Sequence, residues 1–284
     1  MYAMADLNLY DSVSFKVSKL VTKTYSTSFS IAVSFLELPV QKSIYSIYGF
    51  VRFADEIVDS FSLYDKEALL EKFEQDYYEA LNSGISLNPV LNSFQITVKK
   101  YQIPDELIKA FLSSMKADLY KTKYVDKYEI NQYIYGSADV VGLMCLKVFT
   151  NGDDAMYESL KMPAMRLGSA FQKVNFLRDL KSDLEYLDRQ YFPEMKDRAF
   201  DEKVKAEIIE DIEEDFRSAK KGIIDLPKDA RFAVFIAFCY YQRLLNKIRQ
   251  TTAEKLINKR IRVSGTQKIV LLIKAFTFLK LKLI

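Results

Sequence analysis

The stretch IYGFVRFADEIVDS, residues 47–60, combines an apolar and a polar pattern at helical spacing. Apolar side chains recur at steps of three and four residues, which places them on the core-facing side of an α-helix. They are Ile47, Val51, Ala54 and Val58, and Ile44 continues the pattern before the stretch. The stretch therefore predicts a long helix with one buried face, and the same periodicity extends along most of the chain.

A second stripe on this helix consists of Tyr48, Arg52, Asp55 and Asp59. A solvated face normally carries a mixture of Lys, Glu, Ser and Gln, whereas this one has an aromatic ring, a guanidinium and two carboxylates. Two carboxylates one turn apart can bind Mg²⁺ together with water or phosphate oxygens, and Arg52 suits a phosphate. A surface helix with ion pairs explains the same pattern, so both interpretations stay open at this point.

A second polar stripe occurs in FQKVNFLRDLKSD, residues 171–183, with Arg178 beside it. Two amides and two carboxylates follow one helical line: Gln172, Asn175, Asp179 and Asp183. If the two helices face each other, four carboxylates surround a cavity, where they repel unless divalent cations and diphosphate balance them. The two stripes together predict a metal-diphosphate site.

Composition removes several classes of chemistry. The 284 residues contain no histidine, which excludes Ser-His-Asp triads and the usual His-ligated zinc sites. With 41 Lys and Arg against 38 Asp and Glu, the net charge of +3 gives no general argument for nucleic-acid binding. Cys145 and Cys239 lie in apolar surroundings, where buried free thiols are expected. The N-terminus has no signal-peptide pattern, so we expect a cytoplasmic location.

The periodicity predicts an all-α fold, because strand-like alternation is scarce. The six prolines, Pro163 among them, stand where helices would start or stop and predict about eight to ten helices. We expect a single domain over residues 1–284. Glycines inside predicted helices indicate close helix packing or the approach of a ligand: Gly49, Gly136, Gly142 and Gly168.

The final segment, about residues 255–284, is basic and apolar. Lysines interrupt its run IVLLIKAFTFLKLKLI, which makes it a poor membrane span. Two interpretations fit this composition. The segment is either a basic amphipathic helix on an anionic membrane surface or a last helix of the core.

Several segments, in order, resemble the squalene/phytoene synthase family of head-to-head prenyl synthases, and its bacterial phytoene and dehydrosqualene synthases in particular. They are YSTSFS at 25–30, YGFVRFADEIVD at 48–59, YGSADVVGLM at 135–144, QKVNFLRDLKSD at 172–183 and RQYFP at 189–193. The resemblance covers nearly the whole chain. One departure is Tyr25, where many members carry a histidine that can become cationic near neutral pH.

The resemblance implies an isoprenoid-synthase helical bundle with a central cavity and an aspartate-rich motif on each of two facing helices. The implied ligands of two or three Mg²⁺ ions, or of Mn²⁺ in their place, are Asp55, Asp59, Asp179 and Asp183. The implied substrate contacts are Ser26, Ser28, Phe29, Arg52, Gln172, Asn175 and Arg178. The implied catalytic residues are Tyr48, Tyr135 and Tyr241.

The reaction that this resemblance implies joins two geranylgeranyl diphosphates head to head, through a cyclopropyl (prephytoene) diphosphate, to phytoene in carotenoid biosynthesis. The final proton needs an acceptor other than histidine, so we expect the released diphosphate or a tyrosine oxygen to take it. We expect no NADPH, because no dinucleotide-binding glycine motif follows a strand and the tail lacks the anchor of eukaryotic squalene synthases.

Two alternatives stay open. One is a dehydrosqualene or squalene synthase that uses farnesyl diphosphate, and the other is a non-catalytic, isoprenoid-binding member of the family. The expected partners are the prenyl diphosphate, a membrane surface and a downstream desaturase, with no nucleic acid. We therefore expect the protein to be peripheral on the inner face of the cell membrane.

Overall fold

The structure is a computed structural model that describes the backbone of residues 2–280 and the side chains of residues 7–277. This part of the chain is helical and contains no β-strand, which confirms the predicted all-α class. The α-helices are α1 Tyr2–Tyr25, α2 Thr27–Val33, α3 Leu38–Ser60, α4 Lys66–Ser83, α5 Pro89–Tyr101, α6 Asp105–Ala117, α7 Lys127–Ile134, α8 Val140–Thr150, α9 Asp154–Tyr186, α10 Glu202–Asp225, α11 Lys228–Gln250, α12 Ala253–Asn258 and α13 Gly265–Lys280. A π-helical turn, Tyr135–Asp139, joins α7 to α8, and a short 3-10 helix, Pro193–Met195, follows α9.

The thirteen α-helices of the described part exceed the number expected from periodicity. The additional helices are short, with 7 residues in α2, 8 in α7 and 6 in α12. One or two turns contain too few residues for a periodic pattern to emerge. Their starts are instead fixed by side-chain caps, as where Asp126 accepts a hydrogen bond from the Glu129 amide at the beginning of α7.

Pro163 does not end a helix, contrary to its predicted position at a boundary. It lies inside α9, which runs for 33 residues, although an internal proline removes a hydrogen bond and usually costs about 3 kcal/mol. Gly222 of α10 leaves room for the ring, since a Cβ at Gly222 would overlap the Cβ of Pro163. The remaining prolines lie at or next to helix starts, as predicted.

The buried apolar side chains of the described part form two groups. The first lies mainly among α3, α4, α5, α6 and α8, where the rings of Phe50 and Phe94 stack with centroids 4.0 Å apart. The second lies mainly among α9, α10 and α11 and includes the stacked pair Phe176 and Tyr191. Residues of both groups line a central cavity. The single-domain assignment of residues 1–284 stays a prediction.

Close helix packing accounts for two glycines beside the π-helical turn. A Cβ at Gly168 of α9 would lie 2.8 Å from the carbonyl oxygen of Ala138, and one at Gly142 of α8 would lie 3.0 Å from that of Ala164. Backbone therefore meets backbone, as the packing explanation of these glycines predicts. Both glycines also line the cavity, so a ligand there approaches the main chain closely.

The last helix, α13, forms most of the predicted C-terminal tail and packs against α11. Ala275 is buried, and the ring of Phe276 meets that of Phe232 nearly edge to face, with centroids 6.1 Å apart. Ile269 and Ile273 are 59% and 62% exposed. The tail thus has features of both interpretations, a face on the core and an apolar face open to the surroundings.

Part of the predicted tail lies outside the described residues. The structure does not describe the backbone of residues 281–284 or the side chains of residues 278–280. Lys280 and Lys282, two of the basic residues of the predicted tail, are therefore outside the described side chains. Among the helices that the structure describes, none is long and apolar enough to cross a membrane.

Candidate active site

The central cavity has a volume of about 570 Å³ and is bordered by α2, α3, α8, α9, α10 and α11. It contains all but two of the residues predicted for the site, since Ser28 and Tyr135 do not belong to its lining. The two aspartate stripes of α3 and α9 both reach it. The structure therefore brings together the two halves that the sequence predicts separately.

The cavity is polar at one end and apolar at the other. Along α9 its lining runs from Leu160 to Asp183, a distance of about 35 Å at the rise of an α-helix. The carboxylates lie at the C-terminal ends of α3 and α9, whereas Leu160, Pro163 and Ala219 line the opposite end. Such a cavity can hold a long apolar chain with a charged head group.

The first carboxylate pair is held by α3. The Arg52 Nη1 atom donates to Asp55 Oδ2 at 2.7 Å, and its guanidinium also pairs with Glu56. Burial raises the pKa of Asp55 to about 6, repulsion from Asp59 adds to the rise, and Arg52 opposes it. The carboxylates therefore repel each other where no cation lies between them.

The second pair, on α9, is arranged in the same way. The guanidinium of Arg178 donates to Asp179 at 2.5 and 3.1 Å, and Arg260, from the loop after α12, approaches Asp179 Oδ1 at 2.6 Å. Burial, followed by repulsion from Asp179, raises the pKa of Asp183 to about 7. Repulsion from Asp59 of the first pair adds to this rise.

These residues fit a hard divalent cation through their donor chemistry. Among the described residues, no three His, Cys, Asp or Glu side chains come close enough to enclose a metal ion alone. Mg²⁺ seldom needs such a cage, because it keeps several waters and takes one or two carboxylates together with substrate phosphate. Burial and repulsion between neighbouring aspartates disfavour the ionised forms of Asp55 and Asp183 and raise their pKa values, and a bound divalent cation would favour those ionised forms.

Two arginines and an aspartate complete the polar end, although the sequence assigned them no role: Arg189, Arg260 and Asp118. Arg189 Nη1 donates to Asp59 Oδ1 at 2.7 Å. Asp118 accepts from the Tyr133 hydroxyl at 2.7 Å, and burial raises the pKa of Asp118 to about 7. The segment RQYFP, which resembles the family, contains Arg189 and could have indicated it. Arg260 and Asp118 belong to no such segment and come close to the cavity only through the tertiary fold.

Aromatic rings form the wall beside the first carboxylate pair. The rings of Phe29 and Tyr48 stack with centroids 5.1 Å apart, and the Arg52 guanidinium lies over the Tyr25 ring at 4.3 Å. Ser26 caps α2 by accepting from the Phe29 amide at 3.4 Å. Burial raises the pKa of Tyr48 to about 12, so its hydroxyl stays protonated near neutral pH and can donate to an anion.

Tyr241 of α11 also lines the cavity. Its hydroxyl donates to Asn175 Oδ1 at 3.3 Å, and its ring stacks on Phe171 with centroids 3.9 Å apart. Burial raises the pKa of Tyr241, so this hydroxyl is also a donor near neutral pH. Tyr48 of α3 and Tyr241 of α11 thus both present protonated hydroxyls to the cavity.

Ser28 and Tyr135 have different surroundings. Ser28 is partly buried on α2, and Tyr135 begins the π-helical turn, where it packs against the first core group. Two later residues of that turn, Ser137 and Ala138, line the cavity instead. The predicted roles of Ser28 in substrate binding and of Tyr135 in catalysis stay predictions.

Comparison with known proteins identifies the sequence family of this chain and a solved structure with a similar fold. The sequence profile of the squalene/phytoene synthase family matches residues 22–267. Phytoene synthase 1 of Solanum lycopersicum is 26% identical over 270 residues, which span 89% of this chain but only 65% of that protein. Phytoene synthase of Arthrospira platensis is 25% identical over 92% of each chain. A crystal structure of a dehydrosqualene synthase superposes with a TM-score of 0.83 at 22% identity, covering 95% of this chain and 98% of the other, which confirms the predicted bundle.

Proposed function

Because this chain belongs to the squalene/phytoene synthase family, we propose that it is a prenyltransferase that joins two geranylgeranyl diphosphates to phytoene with the help of Mg²⁺. The observation that carries the proposal is the pair of aspartate stripes at one end of a long apolar cavity. Relatives named phytoene synthase support the choice of product. The step would belong to carotenoid biosynthesis.

In the proposed reaction, the polar end binds and neutralises the diphosphates. Asp55, Asp59, Asp179 and Asp183 would hold the Mg²⁺ ions, which supply positive charge to the departing diphosphate. Arg52 and Arg178 add fixed guanidinium charge, and the hydroxyls of Tyr48 and Tyr241 donate hydrogen bonds. Preorganised donors of this kind stabilise the negative charge that develops as an allylic C–O bond breaks.

The apolar end protects the carbocations of the proposed reaction. The first diphosphate leaves and accepts the proton that is lost as the cyclopropyl diphosphate forms, and the second diphosphate leaves before the rearrangement to a linear product with a conjugated triene. Apolar side chains exclude water from these steps, and the faces of Phe29 and Phe171, which stack on Tyr48 and Tyr241 nearer the carboxylates, can stabilise cationic carbon. Because Tyr241 is protonated, its neutral oxygen is a weak base, so we propose that the released diphosphate takes the final proton. No NADPH is needed for this product.

Incubation of the purified protein with Mg²⁺ and either geranylgeranyl or farnesyl diphosphate, with and without NADPH, tests the proposal. The expected product is phytoene from the longer substrate, independent of NADPH, and identified by mass and absorbance. Asp55→Ala and Asp179→Ala should abolish it, whereas Asp76→Ala, which removes an ion pair with Lys72 on α4, should leave turnover unchanged.

The substrate that is consumed and the product that forms also distinguish the alternative functions. A product formed only from farnesyl diphosphate identifies a dehydrosqualene or squalene synthase, and NADPH dependence separates those two. No product from either substrate would favour a non-catalytic, isoprenoid-binding protein. Activity that survives both Asp55→Ala and Asp179→Ala would contradict the proposed metal site.

We also propose that α13 brings the protein to the inner face of the cell membrane, where a downstream desaturase could receive the product. Ile269, Val270 and Ile273 expose about half or more of their surface, and Lys268 and Lys274 flank them in the sequence of the same helix. Apolar side chains flanked by lysines suit the interface of an anionic membrane.

A further inference from the structure

The segment RQYFP, residues 189–193, follows α9 and delivers Arg189 to the carboxylates. Before it, Asp188 adopts a left-handed backbone with φ of 48°, which few residues other than glycine, asparagine and aspartate adopt readily. The Arg189 amide then donates to the carbonyl oxygen of Asp183 at 2.8 Å. The turn therefore fixes the backbone of Arg189 directly to that of Asp183.

The guanidinium of Arg189 is bound on several sides. Its Nη1 donates to Asp59 Oδ1 at 2.7 Å and to the Tyr191 hydroxyl at 3.4 Å, and its Nη2 donates to the Asp118 carbonyl oxygen at 3.1 Å. The side chain is only 7% exposed. The ring of Tyr191, whose hydroxyl accepts one of these hydrogen bonds, stacks on Phe176 of α9 with centroids 3.9 Å apart. This stacking holds the hydrogen-bond acceptor of Arg189 in place.

Arg189 consequently links the two aspartate stripes by direct contacts. Its backbone is bound to Asp183 on α9, and its side chain is bound to Asp59 on α3. The hydrogen bond occupies one oxygen of Asp59, whereas the other, Oδ2, has no hydrogen-bond or ion-pair partner in the described part of the chain. Asp183 likewise has no side-chain ion pair there. Both carboxylates thus keep an oxygen for a further ligand.

We propose that Arg189 is a positioning residue that fixes Asp59 relative to Asp183 and thereby sets the separation of the two carboxylate pairs. The inference rests on the proposed function, because it concerns the same metal-diphosphate site. It differs from a simple charge balance, in which any cation at this position would suffice. A guanidinium donates in several fixed directions, whereas an ammonium is a single point of charge on a flexible stem.

The test compares Arg189→Lys, which keeps the charge, with Arg189→Gln, which removes it. Binding of Mn²⁺ is measured in the full-length protein at a fixed concentration of inorganic diphosphate, from the electron paramagnetic resonance signal of free Mn²⁺ against a protein-free blank. Circular dichroism and the thermal midpoint monitor folding. Arg198→Gln is the matched control, because Arg198 pairs with Glu207 on the exposed surface.

If Arg189 positions Asp59, Arg189→Lys weakens Mn²⁺ binding although the charge is retained. The expected loss is roughly 10–100-fold, as for other groups that orient metal ligands, and Arg198→Gln shows no loss. Mn²⁺ binding by Arg189→Lys within threefold of the unaltered protein overturns the proposal. Unaltered binding by Arg189→Lys together with tighter binding by Arg189→Gln would identify a simple counter-charge. If both Arg189 variants lose the native dichroism spectrum, Arg189 is a structural brace and the proposal is wrong.

A further variant separates this inference from the proposed function. Asp59→Asn removes a proposed ligand and should weaken Mn²⁺ binding strongly. If Asp59→Asn binds Mn²⁺ as well as the unaltered protein does, the proposed metal site is wrong. If Asp59→Asn loses binding while Arg189→Lys retains it, the metal site stands and only the role of Arg189 is refuted.

Discussion

At the scale of single residues, the polar end of the cavity is an array of opposed charges. Each aspartate pair has an arginine neighbour on its own helix, Arg52 beside Asp55 and Arg178 beside Asp179. These ion pairs are partly exposed to the cavity, where water and salt weaken them. They can therefore rearrange when a diphosphate arrives, since a phosphate offers the same guanidinium groups a bidentate partner.

Tyr241→Phe tests the role of a single hydroxyl. We expect kcat to fall at least ~10-fold, because one preorganised donor to the leaving diphosphate is lost, while KM changes little and the product stays the same. Steady-state kinetics with mass analysis of the product measures this effect. Tyr240→Phe is the control, because that ring lies perpendicular to Tyr241 and outside the cavity lining. A change of product in Tyr241→Phe would instead indicate that this oxygen takes the final proton.

Asp139, in the π-helical turn, should make stability depend on pH. Burial raises its pKa from 3.8 to about 7, and repulsion from Asp215 adds to the rise. The folded protein therefore keeps a proton that the unfolded chain releases, and the free energy of unfolding falls as pH rises from about 4 to about 7. We expect Asp139→Asn to be more stable than the unaltered protein at pH 8, by ~2 kcal/mol, with a smaller difference at pH 5.

Urea unfolding at the two pH values measures this difference. Asp154→Asn provides the comparison, because the Asp154 side chain is 83% exposed. Equal stability of Asp139→Asn and the unaltered protein at pH 8 would contradict the expected contribution of Asp139.

At the scale of elements, α9 organises the molecule. It carries the second aspartate stripe at one end, Leu160 and Pro163 at the apolar end, and Gly168 against the π-helical turn between them. Its neighbour α10 packs along it. The length and direction of the cavity consequently depend on α9 being uninterrupted. This continuity requires space for the ring of Pro163 inside the helix.

Gly222→Ala tests this accommodation. A Cβ at Gly222 would overlap the Pro163 ring, so we expect a loss of about 1–3 kcal/mol from overpacking, although alanine favours a helix by roughly 1 kcal/mol over glycine. In a Pro163→Gly background, Gly222→Ala should lose most of this destabilising effect, because Pro163→Gly removes both the Cβ and the Cγ that a Cβ at Gly222 would meet. A double-mutant cycle from urea unfolding gives the coupling. Additive effects would show that the two residues do not interact.

Helix type was easier to predict from the sequence than helix boundaries were. The stripes of α3 repeat over several turns, so the pattern identified both the helix and its polar face. Pro163 misled the prediction, because local chemistry marks proline as a helix boundary while the space that accommodates it is supplied by Gly222, 59 residues away in the sequence. Such compensation depends on tertiary packing and leaves no local signal.

At the scale of the whole molecule, the site combines residues that periodicity could find with others that it could not. Asp55 and Asp179 belong to regular stripes, and the conjunction of the two stripes predicted a shared cavity. Arg260 follows the short helix α12, and Asp118 follows the end of α6. Their places in the site depend on how these segments pack, so neither spacing nor composition singled them out.

The exposed face of α13 leads to a prediction about membrane binding. The double variant Ile269→Ser, Ile273→Ser should bind anionic vesicles at least ~10-fold more weakly, because two apolar side chains no longer enter the interface. Co-sedimentation with phosphatidylcholine and phosphatidylglycerol vesicles measures binding. The control, Leu63→Ser with Leu87→Ser, alters two residues that are 93% and 96% exposed elsewhere. Equal binding by the α13 variant and the unaltered protein would exclude this face.

These point variants are preferable to removal of the tail. Val263 and Ala275 are buried, and the Phe276 ring contacts Phe232. A chain that ends near Arg262 would therefore uncover part of α11 and lose stability as well as the apolar face. The substitutions at Ile269 and Ile273 leave that packing in place and isolate the contribution of the exposed side.

The division of the cavity into a charged and an apolar end also bears on how a hydrocarbon product would depart. The substrates of the proposed reaction carry head groups that water solvates, whereas the product has none, and moving it into water costs ~0.8 kcal/mol for each CH₂. α13 adjoins α2 through a hydrogen bond from Lys268 Nζ to Thr27 Oγ1 at 2.9 Å, and the neighbouring residues Ser26 and Phe29 line the cavity. A lipid phase at this edge would receive the product without an aqueous step, so we expect turnover to be release-limited in plain buffer and faster when vesicles are present.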